Sequence, residues 1–386
     1  MKPISARQIA VVFTGSFLGA GFLSGQELLQ FFGVFGGFGL VGMALAILAF
    51  VGFSRMVMEI AQETGRTEFD HIIVYRDLRW LRLFVEGVFL FFLFDVMVAM
   101  LAGAGALLEQ VFGLRAVAGD ALISLLVLAV ALAGAAGLLA SFSLVVPLLV
   151  AAAIAIGVAA FCTLSPAPLE MKPLSSGNPL LGNWFSSALS FISYNMMAAV
   201  SILVPLTEGT GERKTIHRGL GLGALLLTLI FACILLPMTL YPDVVAHAEL
   251  PMLALAFQLT PVLGFLYAVL LFAGMFTAAL SSLYAITTRV QLRAGAQLRS
   301  KRFTALLCIL AFVGSIFGFK NVVSVVYPIC GYIGFLALVG ILLHFMYLKK
   351  SPAQPAVVKL NALLGGQDMD NRPRWAALSA YRWTIS

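Results

Sequence analysis

The sequence predicts an all-α polytopic membrane protein of about ten transmembrane helices. They are laid out as a five-plus-five inverted repeat with a discontinuous first helix and a discontinuous sixth. Three observations predict this. Of 386 residues, 61% are hydrophobic and only 11% are charged, against about 25% charged in a soluble domain. Apolar runs of roughly 20 residues, each long enough to cross a bilayer, recur from end to end. A Pro-, Ser- and Gly-rich stretch at 164–182, LSPAPLEMKPLSSGNPLLG, parts these runs into five and five as an external linker. Five is odd, so the second half enters from the opposite face and a repeat between the halves is inverted.

The first five runs fall near 8–32, 38–62, 83–112, 119–138 and 143–163, which makes residues 1–163 the first repeat. The opening run, RQIAVVFTGSFLGAGFLSGQELLQFF, is interrupted in its middle by Gly19-Ala20-Gly21 and followed at once by Ser24, Gln26 and Glu27. Irregular backbone at that depth is tolerated only where it is buried in protein or lines a polar cavity. Ser24-Gly25-Gln26-Glu27 fits a capping box, with Ser24 as N-cap and Glu27 reaching back to its N–H. The outer half-helix is therefore expected to start at Ser24 and to leave Gly19 to Leu23 unwound. Free amides there favour an anionic group, and carbonyls ending the inner half-helix favour a cation. In the third run, Asp95 shares a face with Gly87, Phe91, Ala99 and Gly103 and has no basic residue to pair with. A buried carboxylate in that position binds a cation or carries a proton.

The second repeat, 183–348, holds runs near 183–206, 218–241, 262–290, 303–318 and 322–348. The sixth run corresponds in order to the broken first. Its centre, Ser190-Phe191-Ile192-Ser193-Tyr194-Asn195, is polar for bilayer depth, and paired irregularities in corresponding helices point to a transport site. The eighth run carries Ala278, Ser281 and Ser282, whose hydroxyls and a nearby carbonyl are hard oxygen ligands suited to a small cation. Residues 349–386 form a tail with Pro352, Pro355, Trp375 and Trp383.

The formal charge of +7 does not mark a nucleic-acid binder, because the basic residues fall in alternate loops rather than on one patch. Arg55, Arg66, Arg76, Arg79 and Arg82 lie on one side with Arg213, Lys214, Arg218, Arg289, Arg293, Arg299, Lys301, Arg302, Lys349 and Lys350. Only Arg115, Lys172 and Lys320 lie on the other. This places both termini in the cytoplasm, of a bacterial inner membrane. Lys2 and Arg7 precede a run too long for a signal peptide, so the run reads as a retained helix. Cys162, Cys233, Cys308 and Cys330 read as small apolar fillers. Gly37-Phe38-Gly39-Leu40-Val41-Gly42 matches G-x-G-x-x-G without the preceding strand that a dinucleotide site needs. No hydrolase motif occurs, so the chain does not read as an enzyme.

GSFLGAGFLSGQELLQFF resembles the broken first helix of the amino acid–polyamine–organocation superfamily, and G-A-G-F-x-S-G-Q-E is most similar to its YkvI-like permeases. The resemblance implies a LeuT-type fold and cation-coupled symport of an amino acid or similar small zwitterion across the lipid bilayer. It implies a sodium site built from the carbonyls of Gly15, Leu18 and Ala278 and the hydroxyls of Ser281 and Ser282. Sodium would serve as coupling ion, and no cofactor is expected. Substrate would lie between Gly19, Ala20, Gly21, Phe22 and Ser24 and the centre of the sixth span at Ser190, Ser193 and Asn195. Sodium-coupled relatives of this type place an Asn where this chain has Phe22, so a single coupling ion is implied. Glu27 and Asp95 are candidates for a proton or a substrate amine and leave proton coupling open. A channel and a membrane sensor are the alternatives of a different class.

Overall fold

Inside a bilayer, backbone hydrogen bonds have to be met by the protein itself, and this chain meets them with helices. The computed structural model describes residues 4–66, 68–74, 78–133, 144–163, 173–174, 178–207, 213–245, 248–294 and 301–350. Every regular element among them is helical. Most of the expected linker, and the tail beyond residue 350, lie outside the described residues.

The first span is three pieces, α1 (Ala6–Phe17), α2 (Ala20–Leu23) and α3 (Gln26–Phe31), and the second is α4 (Gly37–Thr64). A short α5 (Phe69–Ile73) leads to α6 (Arg79–Phe112), α7 (Ala116–Leu132) and α8 (Val145–Thr163). The second half holds α9 (Trp184–Leu206), α10 (Arg213–Leu240), a connecting α11 (Pro251–Leu259), α12 (Pro261–Ala294) and α13 (Lys301–Ser315). Its last span enters through the turn Phe319–Asn321 and a π-helical stretch, Val322–Val326, before α14 (Tyr327–Lys350). Among the described residues, seven helices are long and apolar enough to cross a membrane. With the broken first span and the shorter α7 and α13, they follow the order the hydropathy predicts.

Packing between the halves is reciprocal. The first span lies on α10 as α9 lies on α4, α8 packs on α10 as α14 packs on α4, and α6 packs on α12. A two-fold relation between five-helix halves produces this pattern. At the end carrying most of the basic residues, buried Glu59 of α4 sits 2.7 Å from Arg55 and 3.7 Å from both His217 of α10 and Lys349 of α14. Arg213 of α10 reaches Glu63 at 2.6 Å.

The break in the first span differs from the expected one. Helix α1 stops at Phe17, Leu18 and Gly19 are extended, and Ala20–Leu23 then recover one helical turn instead of staying unwound. A second interruption follows at Gly25, whose φ of +86° is left-handed and makes it, not Ser24, the N-cap of α3. Ser24 Oγ donates to Gly21 O at 2.5 Å and accepts from Gln26 N at 3.3 Å, and no side chain caps α3. The two carbonyls freed at this point find donors from elsewhere. Tyr267 Oη of α12 donates to Leu23 O at 2.5 Å, and Met252 N of α11 donates to Ser24 O at 3.0 Å.

The sixth span corrects the expected discontinuity, because α9 runs unbroken from Trp184 to Leu206. It has no glycine to turn on, and its polar centre is absorbed locally. Ser193 Oγ donates to Leu189 O at 2.7 Å and Asn195 Nδ2 to Phe191 O at 2.9 Å, both one turn back on the same helix. Ser187 Oγ donates to Phe31 O at 2.6 Å, so this helix also closes the end of α3.

A Cβ at Gly25 would sit 3.0 Å from Met252 Cγ, whereas one at Gly65, also left-handed at φ +67°, would meet nothing within 4 Å. Gly65→Ala is therefore expected to cost only the backbone term, about 1–2 kcal/mol. Gly25→Ala costs more, because Met252 and its bond to the break must shift. Thermal unfolding of the two variants in detergent compares them, and an equal loss contradicts the close fit at the break.

Candidate functional site at the break in the first span

The broken span aims a carboxylate back over its own interruption. Glu27, in the first turn of α3, is 6% exposed, and its Oε2 accepts from Tyr194 Oη of α9 at 2.5 Å. Its Oε1 lies over the break, since a Cβ on Gly21 would fall 2.6 Å from it. Gly21 is thus required by the space the carboxylate occupies. Asp95 of α6 is 3% exposed, and its Oδ2 is met by the Cys330 Sγ of α14 at 3.7 Å, a weak thiol donor. The Tyr327 phenol, at the start of α14, lies within electrostatic reach of both carboxyls, and the carboxyls lie within reach of each other.

Aromatic rings wall this cluster. Around Tyr194, ring centroids lie at 5.1 Å for Tyr327, 5.5 Å for Phe31 and Phe191, and 6.4 Å for Phe92. Four structural units therefore converge: the broken span, α6, α9 and α14. The sequence reading named Glu27 and Asp95 and passed over Tyr194, Tyr327 and Cys330. Tyr194 stood inside the polar centre of the sixth run. Cys330, read there as a filler, is a partner of Asp95.

The other expected residues are distributed as follows. Ala20, Gly21 and Phe22 are buried in α2, with the Phe22 ring 4.7 Å from Phe231. Ser190 Oγ donates to Pro328 O at 3.3 Å, while Ser24, Ser193 and Asn195 hold the backbone bonds already described. Gly15 and Gly19 lie on an accessible face of the first span, and a Cβ on either would meet nothing within 4 Å. Leu18 N donates to Gly15 O at 3.3 Å where α1 ends. On α12, Ser281 is accessible with its Oγ donating to Thr277 O at 2.7 Å, Ala278 is half-buried and Ser282 is buried. The two spans touch where Ala20 Cβ comes within 3.2 Å of the place a Cβ on Gly274 would take. On the first span, the accessible positions Gly19, Gly15 and Val11 step back toward Arg7. On α12, Ser281 and Thr288 step on toward Arg289.

Metal ligation is a separate matter. Among the described residues, Glu68, Asp70 and His71 are the His, Cys, Asp or Glu side chains whose ligand atoms gather within 4.8 Å. Arg66 and Arg82 sit 3.1 and 3.0 Å from the ring nitrogens of His71, which supplies positive charge where a metal would need negative. Burial, with those two guanidiniums beside it, holds the His71 ring below its usual pKa. Glu27, Asp95 and Cys330 do not converge to that distance as a set.

No family model matches the chain. It is 29% identical over 349 residues to the uncharacterized membrane protein YkvI of Bacillus subtilis (strain 168), covering 90% of this chain and 97% of that protein. It is 26% identical over 337 residues to the uncharacterized protein YyaD of the same organism, covering 86% and 95%. Among solved structures, the Eremococcus coleocola manganese transporter bound to an aromatic bis-isothiourea-substituted compound superposes with a TM-score of 0.57 at 14% identity. That match covers 98% of this chain and 83% of that one. A histidine-to-alanine mutant of the same transporter gives a TM-score of 0.55 at 14% identity, over 99% and 91%. At such identity the likeness establishes a shared fold, that of a polytopic membrane protein.

The Tyr194–Glu27 bond spans 167 residues of sequence and joins the two halves at the break. A double-mutant cycle of Tyr194→Phe with Glu27→Gln is expected to give a coupling of about 1–3 kcal/mol in thermal unfolding. Additive single effects contradict the pairing.

Proposed function

We propose that the chain is a secondary active transporter that carries an amino acid or similar small zwitterion, coupled to a cation, with sodium favoured over protons. The observation that carries this reading is a membrane helix broken at mid-depth beside two buried carboxyls that no basic side chain among the described residues neutralises. Such carboxyls in a membrane are retained where they bind a cationic group or a proton. A substrate ammonium between Glu27 and Asp95, against the rings of Tyr194 and Tyr327, supplies that charge and gains cation–π attraction. Gly19, Ala20, Gly21, Phe22 and Ser24 then border it on one side, and Ser190, Ser193 and Asn195 on the other.

The coupling ion is assigned to Gly15, Leu18, Ala278, Ser281 and Ser282. The last carbonyls of a helix lack partners within it and carry the negative end of its dipole. Helix α1 ends at Phe17, Ser281 is accessible on α12, and the two spans meet at Ala20 and Gly274. Alternating access follows from rocking the broken span and its partners against the remaining helices. The loop charges favour both termini in the cytoplasm of a bacterial membrane. The fold is shared with a manganese transporter, but the separation of Glu27 from the Asp95–Cys330 pair favours an organic ammonium over a bare metal ion.

Uptake by proteoliposomes under imposed sodium or proton gradients, screened across amino acids and simple amines, tests the reading. Saturable, sodium-driven uptake is expected, and Asp95→Asn is expected to lower it at least about tenfold, the equivalent of ~1.4 kcal/mol. Non-saturable flux indifferent to either gradient contradicts it in favour of a channel. Ser281→Ala combined with Ser282→Ala is expected to abolish sodium dependence while a substrate concentration gradient still drives exchange. Sodium dependence that survives the double change refutes the ion site.

A further inference from the structure

Gln26 opens α3 and immediately precedes Glu27. Its side chain is fully buried, and both amide atoms, Oε1 and Nε2, lack a hydrogen-bond partner among the described residues. Turning the amide over changes nothing, since neither position is met. A buried amide unpaired at both ends is costly, and in a native fold it calls for a ligand or a function. The other faces of α3 show which side it occupies. Glu27 and Phe31 face α9, where Tyr194 and Phe191 meet them. Phe32 packs on Gly39 and Gly42 of α4. Gly25 turns to α10 and α11, where a Cβ would fall 3.2 Å from Met238 Sδ and 3.0 Å from Met252 Cγ, and Leu29 meets Leu235 of α10 at Gly33. The side of Gln26, about 100° round from Glu27, is left to the π-helical Val322–Val326, which packs on α3. That stretch runs into Tyr327, whose phenol lies within electrostatic reach of Glu27 and Asp95. Gln26 thus borders the central cluster on the side of the last span.

A zwitterion needs a donor for its carboxylate as well as acceptors for its ammonium. With no basic side chain among the described residues paired to the cluster, that donor is a neutral group. The hydroxyls at hand are already spent. Ser24 Oγ donates to Gly21 O, Ser187 Oγ to Phe31 O, Ser190 Oγ to Pro328 O and Tyr194 Oη to Glu27. Gln26 Nε2 carries two protons, and neither has a partner among the described residues. A bond from it to a carboxylate is charge-assisted and stronger than one between neutral groups. Its Oε1, an acceptor, is available to the ammonium of the same solute. The Cα atoms of Gln26 and Glu27 are about 3.8 Å apart, so the two side chains are placed to hold the two ends of one compact zwitterion.

We infer that Gln26 is a specificity-determining residue of the central site, its Nε2 donating to the carboxylate of the solute while Glu27 and Asp95 hold the ammonium. The inference rests on the transport reading and narrows it. The solute carries a carboxylate close to its ammonium, and a simple amine of the same skeleton leaves the Gln26 amide unpaired and binds less well.

The test uses full-length protein in detergent with sodium chloride, and reads binding as a rise in Tm through linkage. The probes are the common amino acids, each paired with the amine left when its carboxylate is removed. The wild type is expected to be half-saturated by its best amino acid at a concentration at least about tenfold below that of the paired amine. Gln26→Met keeps the length of the side chain and removes both polar atoms. It is expected to bring that ratio down toward one, and to leave the Tm without solute equal or higher, because an unpaired amide has been removed. Gln26→Glu, which keeps the shape but sets an acid against the carboxylate, is expected to lower the ratio as well, and it serves where Gln26→Met does not fold. An unchanged ratio in the variants, no preference for the amino acid in the wild type, or loss of both probes together overturns the assignment. If saturable, gradient-driven uptake by proteoliposomes stands in any of these cases, the assignment falls alone. If the wild type neither takes up nor is stabilised by any amino acid or amine, the transport reading falls and the assignment with it.

Discussion

A bilayer offers no water to an open carbonyl, and that constraint governs how this molecule can be built. A spanning helix can be interrupted only if other parts of the protein take over the backbone groups it releases. Here Tyr267 and Met252 do so, reaching Leu23 O and Ser24 O from the eighth span and from the helix that precedes it. The first span is thereby held broken by residues more than 220 positions away in sequence. Within the turn itself the carbonyls of Ala20, Gly21 and Phe22 are taken up by Ser24 N, Ser24 Oγ and Gly25 N. Gly21, with no Cβ, leaves the space that the Glu27 carboxylate occupies over that turn.

Charge provides the second constraint. Glu27 and Asp95 are buried where a carboxylate is costly, and their partners are a phenol and a thiol rather than a cation. Burial of that kind disfavours a purely structural role, since an apolar residue of similar size packs at lower cost. On the proposed function, an ammonium or a proton entering the cluster offsets that cost.

Much of the fold was legible in the sequence because span length and hydropathy are local properties. The ten apolar runs became helices in the expected order, and the interruption after Phe17 falls at the glycines that announced it. What was not legible depends on partners distant in sequence. Ser24 to Glu27 spells a capping box, but Met252 draws Ser24 O outward. The left-handed turn at Gly25 then takes the N-cap position, which frees Glu27 to reach Tyr194. The sixth span was expected to break because Ser193 and Asn195 are polar, yet helix carbonyls one turn back absorb both side chains. Cys330 could not be told from a packing residue until Asp95 was seen beside it.

The central claim is that the break in the first span borders an aqueous path used by a solute and an ion. Gly19 tests it most directly, because it is accessible, extended at φ −98°, and has open space where a side chain would go. The measurement is the rate at which Gly19→Cys, in a variant lacking the four native cysteines, reacts with a membrane-impermeant thiol reagent applied from each side. The account predicts labelling from the side that carries the basic loops, slowed when sodium and a transported solute are both present. No labelling from either side, or labelling indifferent to sodium and to every solute, would contradict it.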